Sequence, residues 1–257
     1  MKILVTVKPV FEEIQMTDPD ILKRNYLKKN PDLNLKINRF DDHALEEALK
    51  LKEKDSSIEV HTISVGTRDS LEIQKKIIGK GADKAFLIET ETKNADDPDF
   101  VSSEIKNLFS ENDYSMVFCG MMSEDLMNGV TGLLAASKAG LPAVSGVTFI
   151  EEINDQTIIV KRELEGGTAQ KAELSIPCLL NFQAGINRPG YPNVMRMLKA
   201  DDSNVIVKTP HKSDIESLVQ ITDLKLPSKT RKGEILEGSV EDKARAFIEI
   251  LKQKKIL

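Results

Sequence analysis

The sequence predicts an α/β fold: a mainly parallel, twisted sheet with flanking helices, continued by a C-terminal extended arm and helix. Three observations predict it. Over residues 1–145, short apolar runs alternate with stretches of helical period, which is the pattern of βαβ units. The apolar runs are continuous rather than alternating, as in strands buried on both faces. Two of them end on glycine, at Gly66 and Gly120, where the chain can turn sharply off a strand end.

ILVTV (3–7) opens as a buried strand. ALEEALKLKEK (44–54) places Ala44, Leu45, Ala48 and Leu49 on one helical face, with Asp41 and Asp42 available as N-caps. Strand 58–66, helix 69–79, strand 84–89, helix 99–112, strand 115–120 and a helix over 129–139 follow. From 145 to 184 the character changes. VTFIEEI, TIIVKRELEG and LLNFQ are closely spaced and rich in β-branched residues, and predict two or three further strands, partly antiparallel. Beyond residue 200 the chain turns polar, with Pro210 and Pro227, and residues 227–238 read as an extended linker. The last segment is a helix with Ser239 as N-cap, Glu241 and Asp242 in its first turn and lysines in its last. Its apolar face, Val240, Ala244, Phe247 and Leu251, must dock either on its own domain or on a partner.

Composition narrows the function classes. Apolar residues at 40% and charged residues at 30% are those of a folded globular chain. A net charge of −5 argues against nucleic acid as the main partner. No apolar run approaches the roughly 18 to 20 residues that span a bilayer, and MKILVTVKPVF is too short in its apolar part for a signal peptide, so a cytoplasmic location is expected. Cys119 and Cys178 are far apart, and His43, His61 and His211 form no cluster. No metal site is expected.

In parallel α/β sheets ligands bind beyond the carboxyl ends of the strands, which directs attention to the residues after Val7, Val65 and Cys119. The loop from Gly120 to Gly132 is the most informative. Its Asn128 can cap a helix whose first turn contains Thr131, and free N–H groups with a hydroxyl at a helix N-terminus suit a phosphate. Asp125 has two readings, a ribose ligand or a loop cap. The whole loop also fits an ordinary capped βα connection. It carries neither a Gly-Lys-Ser/Thr phosphate loop nor a Gly-x-Gly-x-x-Gly fingerprint. Asn38, Arg39, Phe40 and Asp41 lead into a helix, where Phe40 is either a staple into the core or the flank of an aromatic ring. Gly166 and Gly167 predict a hairpin turn. Glu163 and Glu165 share a strand face but read as exposed charges, not an acid/base pair.

Taken in order, these segments resemble the beta subunit of electron transfer flavoproteins. ILVTVKPV, NRFDDHALEEALKLKE, SVG at 64–66, KGADKA at 80–85, CGMMSEDLMNGVTG, VKRELEGG and AGINRPGY at 184–191 carry the resemblance over nearly the whole chain. The stretch from VKRELEGG to IPCLL is similar to the family's signature and departs from it at Ala172 and Asn181. NRFDD, the RELEGG strand and EGSVEDKA resemble the methylotroph branch, which serves trimethylamine dehydrogenase.

The resemblance implies an electron carrier, not an enzyme, with no catalytic residue in this chain. It implies a heterodimer in which a larger alpha subunit holds most of an FAD. This chain would then form an adenine-nucleotide-binding α/β domain over 1–200 that buries AMP, with a linker and arm helix over 201–257 docking on the alpha subunit. Thr6, Asn38, Arg39, Phe40, Asp41, Val65 and the loop residues Gly120, Met121, Met122, Ser123, Asp125, Gly129, Val130 and Thr131 match the family's cofactor-contacting stretches. Thr131 matches a phosphate ligand, and Phe40 an aromatic near the flavin ring. The loop departs from the family's Asp-Thr-Gly-Gln or Asn-Gln-Thr-Gly in having Gly129 and Val130 before Thr131, which leaves backbone N–H groups to hold phosphate. Dehydrogenase donors are expected to dock around Asn187, Tyr191, Met195 and Met197, where the loop reads shorter than usual and a methionine replaces the family's leucine anchor. Two alternatives stay open: a flavin-bifurcating variant with a second FAD in place of AMP, and a stand-alone nucleotide-binding module of the universal stress type.

Overall fold

β1 (Lys2–Thr6) lies parallel between β4 (Glu59–Gly66) and β6 (Met116–Gly120). Outward from β4 come β5 (Lys84–Glu89) and β11 (Val205–Lys208). Outward from β6 come β10 (Cys178–Phe182), β7 (Ala143–Ile153), β8 (Thr157–Glu163) and β9 (Ala169–Ser175), giving nine strands in the order β11-β5-β4-β1-β6-β10-β7-β8-β9. The sheet is parallel from β11 to β7 and antiparallel from β7 to β9. This computed structural model describes residues 1–12, 34–211, 219, 233 and 235–257. They belong to two compact units, the first holding the sheet and the second the C-terminal helix.

Helices cover both faces of the parallel part. α1 (Arg39–Lys54) and α2 (Leu71–Lys80) pack on one face, over a core of Ile3, Val5, Leu45, Ala48, Phe118, Leu180 and Phe182. Phe118 and Phe182 meet there with ring centroids 4.7 Å apart. α3 (Pro98–Ser110) and α4 (Thr131–Ala139) cover the opposite face, over Leu4, Ile63, Val117, Leu179, Leu108 and Ala135. Each buried aliphatic or aromatic side chain contributes about 1.5–3 kcal/mol relative to exposure, so two such layers fix the sheet and hold its strand ends in register.

The buried strands fall within a residue or two of the sequence expectation, and the Gly166–Gly167 turn joins β8 to β9 with φ of 74° and 73°. Several expectations need correction. α1 begins at Arg39, not at Ala44, and Asp41 and Asp42 lie in its first turn rather than capping it. Asn38 is the N-cap residue but makes no side-chain cap, because its amide bonds elsewhere. α4 begins at Thr131 with Val130, not Asn128, as the N-cap residue. Four strands, not two or three, lie between residues 143 and 184, since AQKAELS forms β9. Sequence reasoning also passed over the small antiparallel pair β2 (Pro9–Phe11) and β3 (Leu35–Ile37), the one-turn helix Thr92–Ala95, α5 (Val194–Leu198) and β11. β11 adds an edge to the sheet past residue 200.

The expected linker at 227–238 falls mostly outside the described residues. In the second unit, α6 (Val240–Gln253) carries a capping box in which Ser239 Oγ accepts the Asp242 N–H at 3.2 Å. None of its residues is buried, and Val240 and Phe247 are exposed.

Candidate functional site

The chain leaves β1 toward β4 and leaves β6 toward β7 and β10, on opposite sides. A crevice therefore opens between the carboxyl ends of β1 and β6, the switch point where parallel sheets hold ligands. A cleft of roughly 750 Å³, counting its open mouth, lies there. Thr6, Val7 and Lys8 form one wall, and the segments from Cys119 to Ser123 and from Asn128 to Gly132 form the other. Asn38, Asp41 and Val65 also line it, with Asp96, Pro98, Val101 and Ile105 from the far side.

The first turn of α1 builds the floor. Asp41 is buried, and its carboxylate accepts the Lys8 N–H at 2.8 Å and the Gly120 N–H at 3.0 Å. It thus ties the ends of β1 and β6 to one helix. Burial pushes the Asp41 carboxyl up to about 7, against the pull of those donors and of the Lys8 charge. Asn38 is buried as well. Its Nδ2 donates to the Met122 carbonyl at 2.9 Å, and its Oδ1 accepts the Glu124 N–H at 3.0 Å. Asn38 therefore staples the loop after β6 onto the entry of α1.

Gly120 is required by this closeness: a Cβ there would collide with Asp41 Oδ1 and sit 2.6 Å from the Asp41 nitrogen. Gly129 has φ of +65°, in the left-handed region, and Met127 has φ of 52°. The loop thus curls back before α4 starts. Val130 offers no side-chain cap, so the first-turn N–H groups of α4, at Thr131 and Gly132, face the cleft with the partial positive charge of a helix N-terminus. Lys8 brings a full positive charge to the rim. Its Nζ pairs with Asp125 at 2.7 Å and lies 3.6 Å from Asp96. Burial raises the Asp125 carboxyl, but the Lys8 ammonium overrides it and holds the group below the usual carboxylate range. Cys119 is buried at the base, and burial pushes its thiol up to about 12, which leaves it an inert wall rather than a nucleophile.

The cleft brings together eleven of the fourteen residues singled out from the sequence: Thr6, Asn38, Asp41, Val65, Gly120, Met121, Met122, Ser123, Gly129, Val130 and Thr131. Arg39, Phe40 and Asp125 do not line it. Arg39 is exposed and its N–H meets Glu124 at 3.1 Å, while Phe40 is half-buried beside it. Asp125 acts from outside the lining as the partner of Lys8. Sequence reasoning missed Lys8, whose only signal was a lone cation just past a buried strand end.

The donor-docking residues separate as well. Asn187 is half-buried and bonded to α1: its Oδ1 lies 2.8 Å from His43 Nδ1, and its Nδ2 donates to the His43 carbonyl at 2.9 Å and to Glu47 at 3.0 Å. Met197 packs over Gly79 of α2. Tyr191 and Met195 are exposed, together with Val194 and Leu198, so α5 presents an apolar face that includes a leucine.

No helix among the described residues is long and apolar enough to cross a membrane, and no group of three or more His, Cys, Asp or Glu among them could hold a metal ion. The fold and site define an α/β domain with a glycine-bearing cleft, lined by both polar and apolar residues, at the switch point of a parallel sheet. Residues 31–210 match the electron transfer flavoprotein domain, and the chain belongs to that family. It is 27% identical to the electron transfer flavoprotein subunit beta of Methylophilus methylotrophus, over 99% of each chain. It is 26% identical to the probable electron transfer flavoprotein subunit beta of Saccharomyces cerevisiae, over 100% of this chain and 98% of that one. It is 25% identical to the electron transfer flavoprotein subunit beta of Bacillus subtilis, over 84% and 85% of the two.

Proposed function

We propose that this chain is the beta subunit of a heterodimeric, cytoplasmic electron transfer flavoprotein. A larger alpha subunit holds most of an FAD, and AMP fills the cleft at the ends of β1 and β6 as a structural ligand. The flavin supplies the redox chemistry; this chain binds, orients and shields. The observation that carries the reading is the uncapped first turn of α4 beside Gly129 and Lys8, a set of donors suited to a phosphate. The apolar part of the cleft's lining, Val65, Pro98, Val101 and Ile105, suits the rest of a nucleotide.

Arg39 and Phe40, at the rim and outside the cleft, are placed in this reading toward the flavin. The arm helix α6, apolar on Val240 and Phe247, docks on the alpha subunit. Dehydrogenase donors dock on the exposed residues Tyr191, Val194, Met195 and Leu198; Leu198 supplies a leucine that the sequence reading had replaced with methionine. The Methylophilus relative supports a place in the methylotroph branch.

Co-expression with the companion alpha-type chain tests the assignment. A one-to-one complex with one flavin is expected. Two flavins per complex would instead establish the bifurcating arrangement, and a stable homodimer without flavin the stand-alone module.

A further inference from the structure

Among the described residues, β11 is the outermost strand on the parallel side of the sheet. It is four residues long and pairs with β5 alone. Just past it, Pro210 and His211 carry the chain off the sheet, and there a cluster of charges ties it to α3.

Glu104 lies on α3 and is 1% exposed. One of its oxygens accepts the backbone N–H of His211 at 3.1 Å, and the other lies 3.0 Å from His211 Nδ1. Across the ring, His211 Nε2 lies 2.7 Å from Glu111 Oε1. Glu111 is the C-cap residue of α3, and its second oxygen accepts Lys208 Nζ at 2.8 Å. The charged groups facing His211 among the described residues are thus two carboxylates from α3, with Lys208 of β11 beyond the second. None of these four residues lines the cleft.

Carboxylates accept hydrogen bonds, so both ring nitrogens must donate, and only the imidazolium does that. Whichever nitrogen loses its proton, a lone pair is then set against a carboxylate oxygen. The buried Glu104 also loses the cation that offsets its charge. The C-terminus of α3 adds partial negative charge that favours the same cation. Hydrogen bonds to Glu104 and Glu111 accordingly raise the His211 imidazole above its ordinary range, against the effect of burial.

We propose that His211 is a protonation-dependent latch: as imidazolium it pins the end of β11 to α3, and when neutral it frees the point where the chain leaves the sheet. The folded state keeps this proton to higher pH than the unfolded chain does. The latch is therefore fully closed below about pH 6.5, the ordinary histidine value, and its contribution is lost as pH rises through the raised value.

Hydrogen–deuterium exchange of the full chain at pH 6 and pH 9, corrected for the intrinsic rate, tests this through the amides of Val205–Lys208. Wild-type protection there is expected to fall about five- to tenfold at the higher pH. That is below the worth of a fully buried charge-assisted hydrogen bond, because the ring is partly exposed. His211→Arg supplies a planar cation that does not titrate and is expected to hold its protection at both values. Asp41 titrates in the same interval, so the difference between wild type and His211→Arg isolates His211. Protection that does not change in wild type, or that changes equally in the arginine variant, overturns the latch. NMR titration of the histidine ring signals, assigned with His211→Gln, gives a second measurement should the arginine variant fail to fold. A His211 midpoint above about 6.5 that falls in Glu104→Gln is expected. A midpoint at or below that value, or one that Glu104→Gln leaves unchanged, overturns the proposal.

Discussion

Asp41 Oδ1 accepts the backbone N–H of Gly120 at 3.0 Å, so the first turn of α1 and the last residue of β6 share one hydrogen bond across 79 positions of sequence. The contact needs a residue without a side chain at 120, because a Cβ would lie 2.7 Å from the Phe40 carbonyl carbon and 2.6 Å from the Asp41 nitrogen. Gly120→Ala is therefore expected to force α1 away from the strand end. Overpacking of this kind costs about 1–3 kcal/mol, or roughly 2–10 °C in Tm for a chain of this size, and should weaken nucleotide retention with it. Calorimetry of the variant checks the first effect; a melting temperature equal to wild type would show that α1 and β6 are not in contact.

The same carboxyl makes stability depend on pH. Its folded value is raised from 3.8 to about 7 by burial, so between those values the folded state holds a proton that the unfolded state has released. Stability from Asp41 is then fully present below about pH 4 and is lost as pH rises toward 7. Relative to Asp41→Asn, which does not titrate, wild type is expected to lose on the order of 3–4 kcal/mol across that window. Urea unfolding of both proteins at pH 4.5 and 7.5 measures it, and a constant difference between them would rule the linkage out.

Lys8 neutralises Asp125 and Asp96 at the cleft rim. Lys8→Met removes this cation from the cleft rim. Loss of a charged partner of this kind is typically worth about 1.5–3 kcal/mol, so AMP affinity should fall by about 10- to 100-fold, with adenosine much less affected. Isothermal titration with both compounds separates the charge effect from a general loss of the site.

Leu198 and Met195 are 76% and 63% exposed, and their removal costs the fold little. Leu198→Ala should leave Tm within about 1 °C of wild type, as surface substitutions do. If α5 is the donor-docking surface, the same change lowers kcat/KM for reduction by the donor dehydrogenase roughly tenfold or more. Stopped-flow reduction of the complex by its dehydrogenase reads this out.

The buried half of the fold was legible because its signals are local and redundant. Apolar runs such as ILVTV and AFLI fit burial between two helical layers, and VHTISVG and MVFCG end on the glycine that a sharp turn needs. The site was legible in its loop and less so in its electrostatics. Gly120 and Thr131 stand out by residue type and position, whereas Lys8 gains its meaning only from Asp125, 117 residues away. The cap misplaced at Asp41 has a tertiary cause: in the folded chain Asp41 bonds Lys8 and Gly120, while Asn38, which stands at the N-cap position, turns its amide to Met122 and Glu124. Tertiary partners of that range leave no local pattern. β9 escaped notice because its residues are mostly exposed and polar, and α5 because five residues are too few to show a helical period.

The nucleotide content of the purified heterodimer tests the central claim most directly. Acid extraction followed by mass spectrometry is expected to release one AMP and one FAD per pair of chains. An extract with FAD but no AMP, from a complex whose cleft residues are intact, would contradict it.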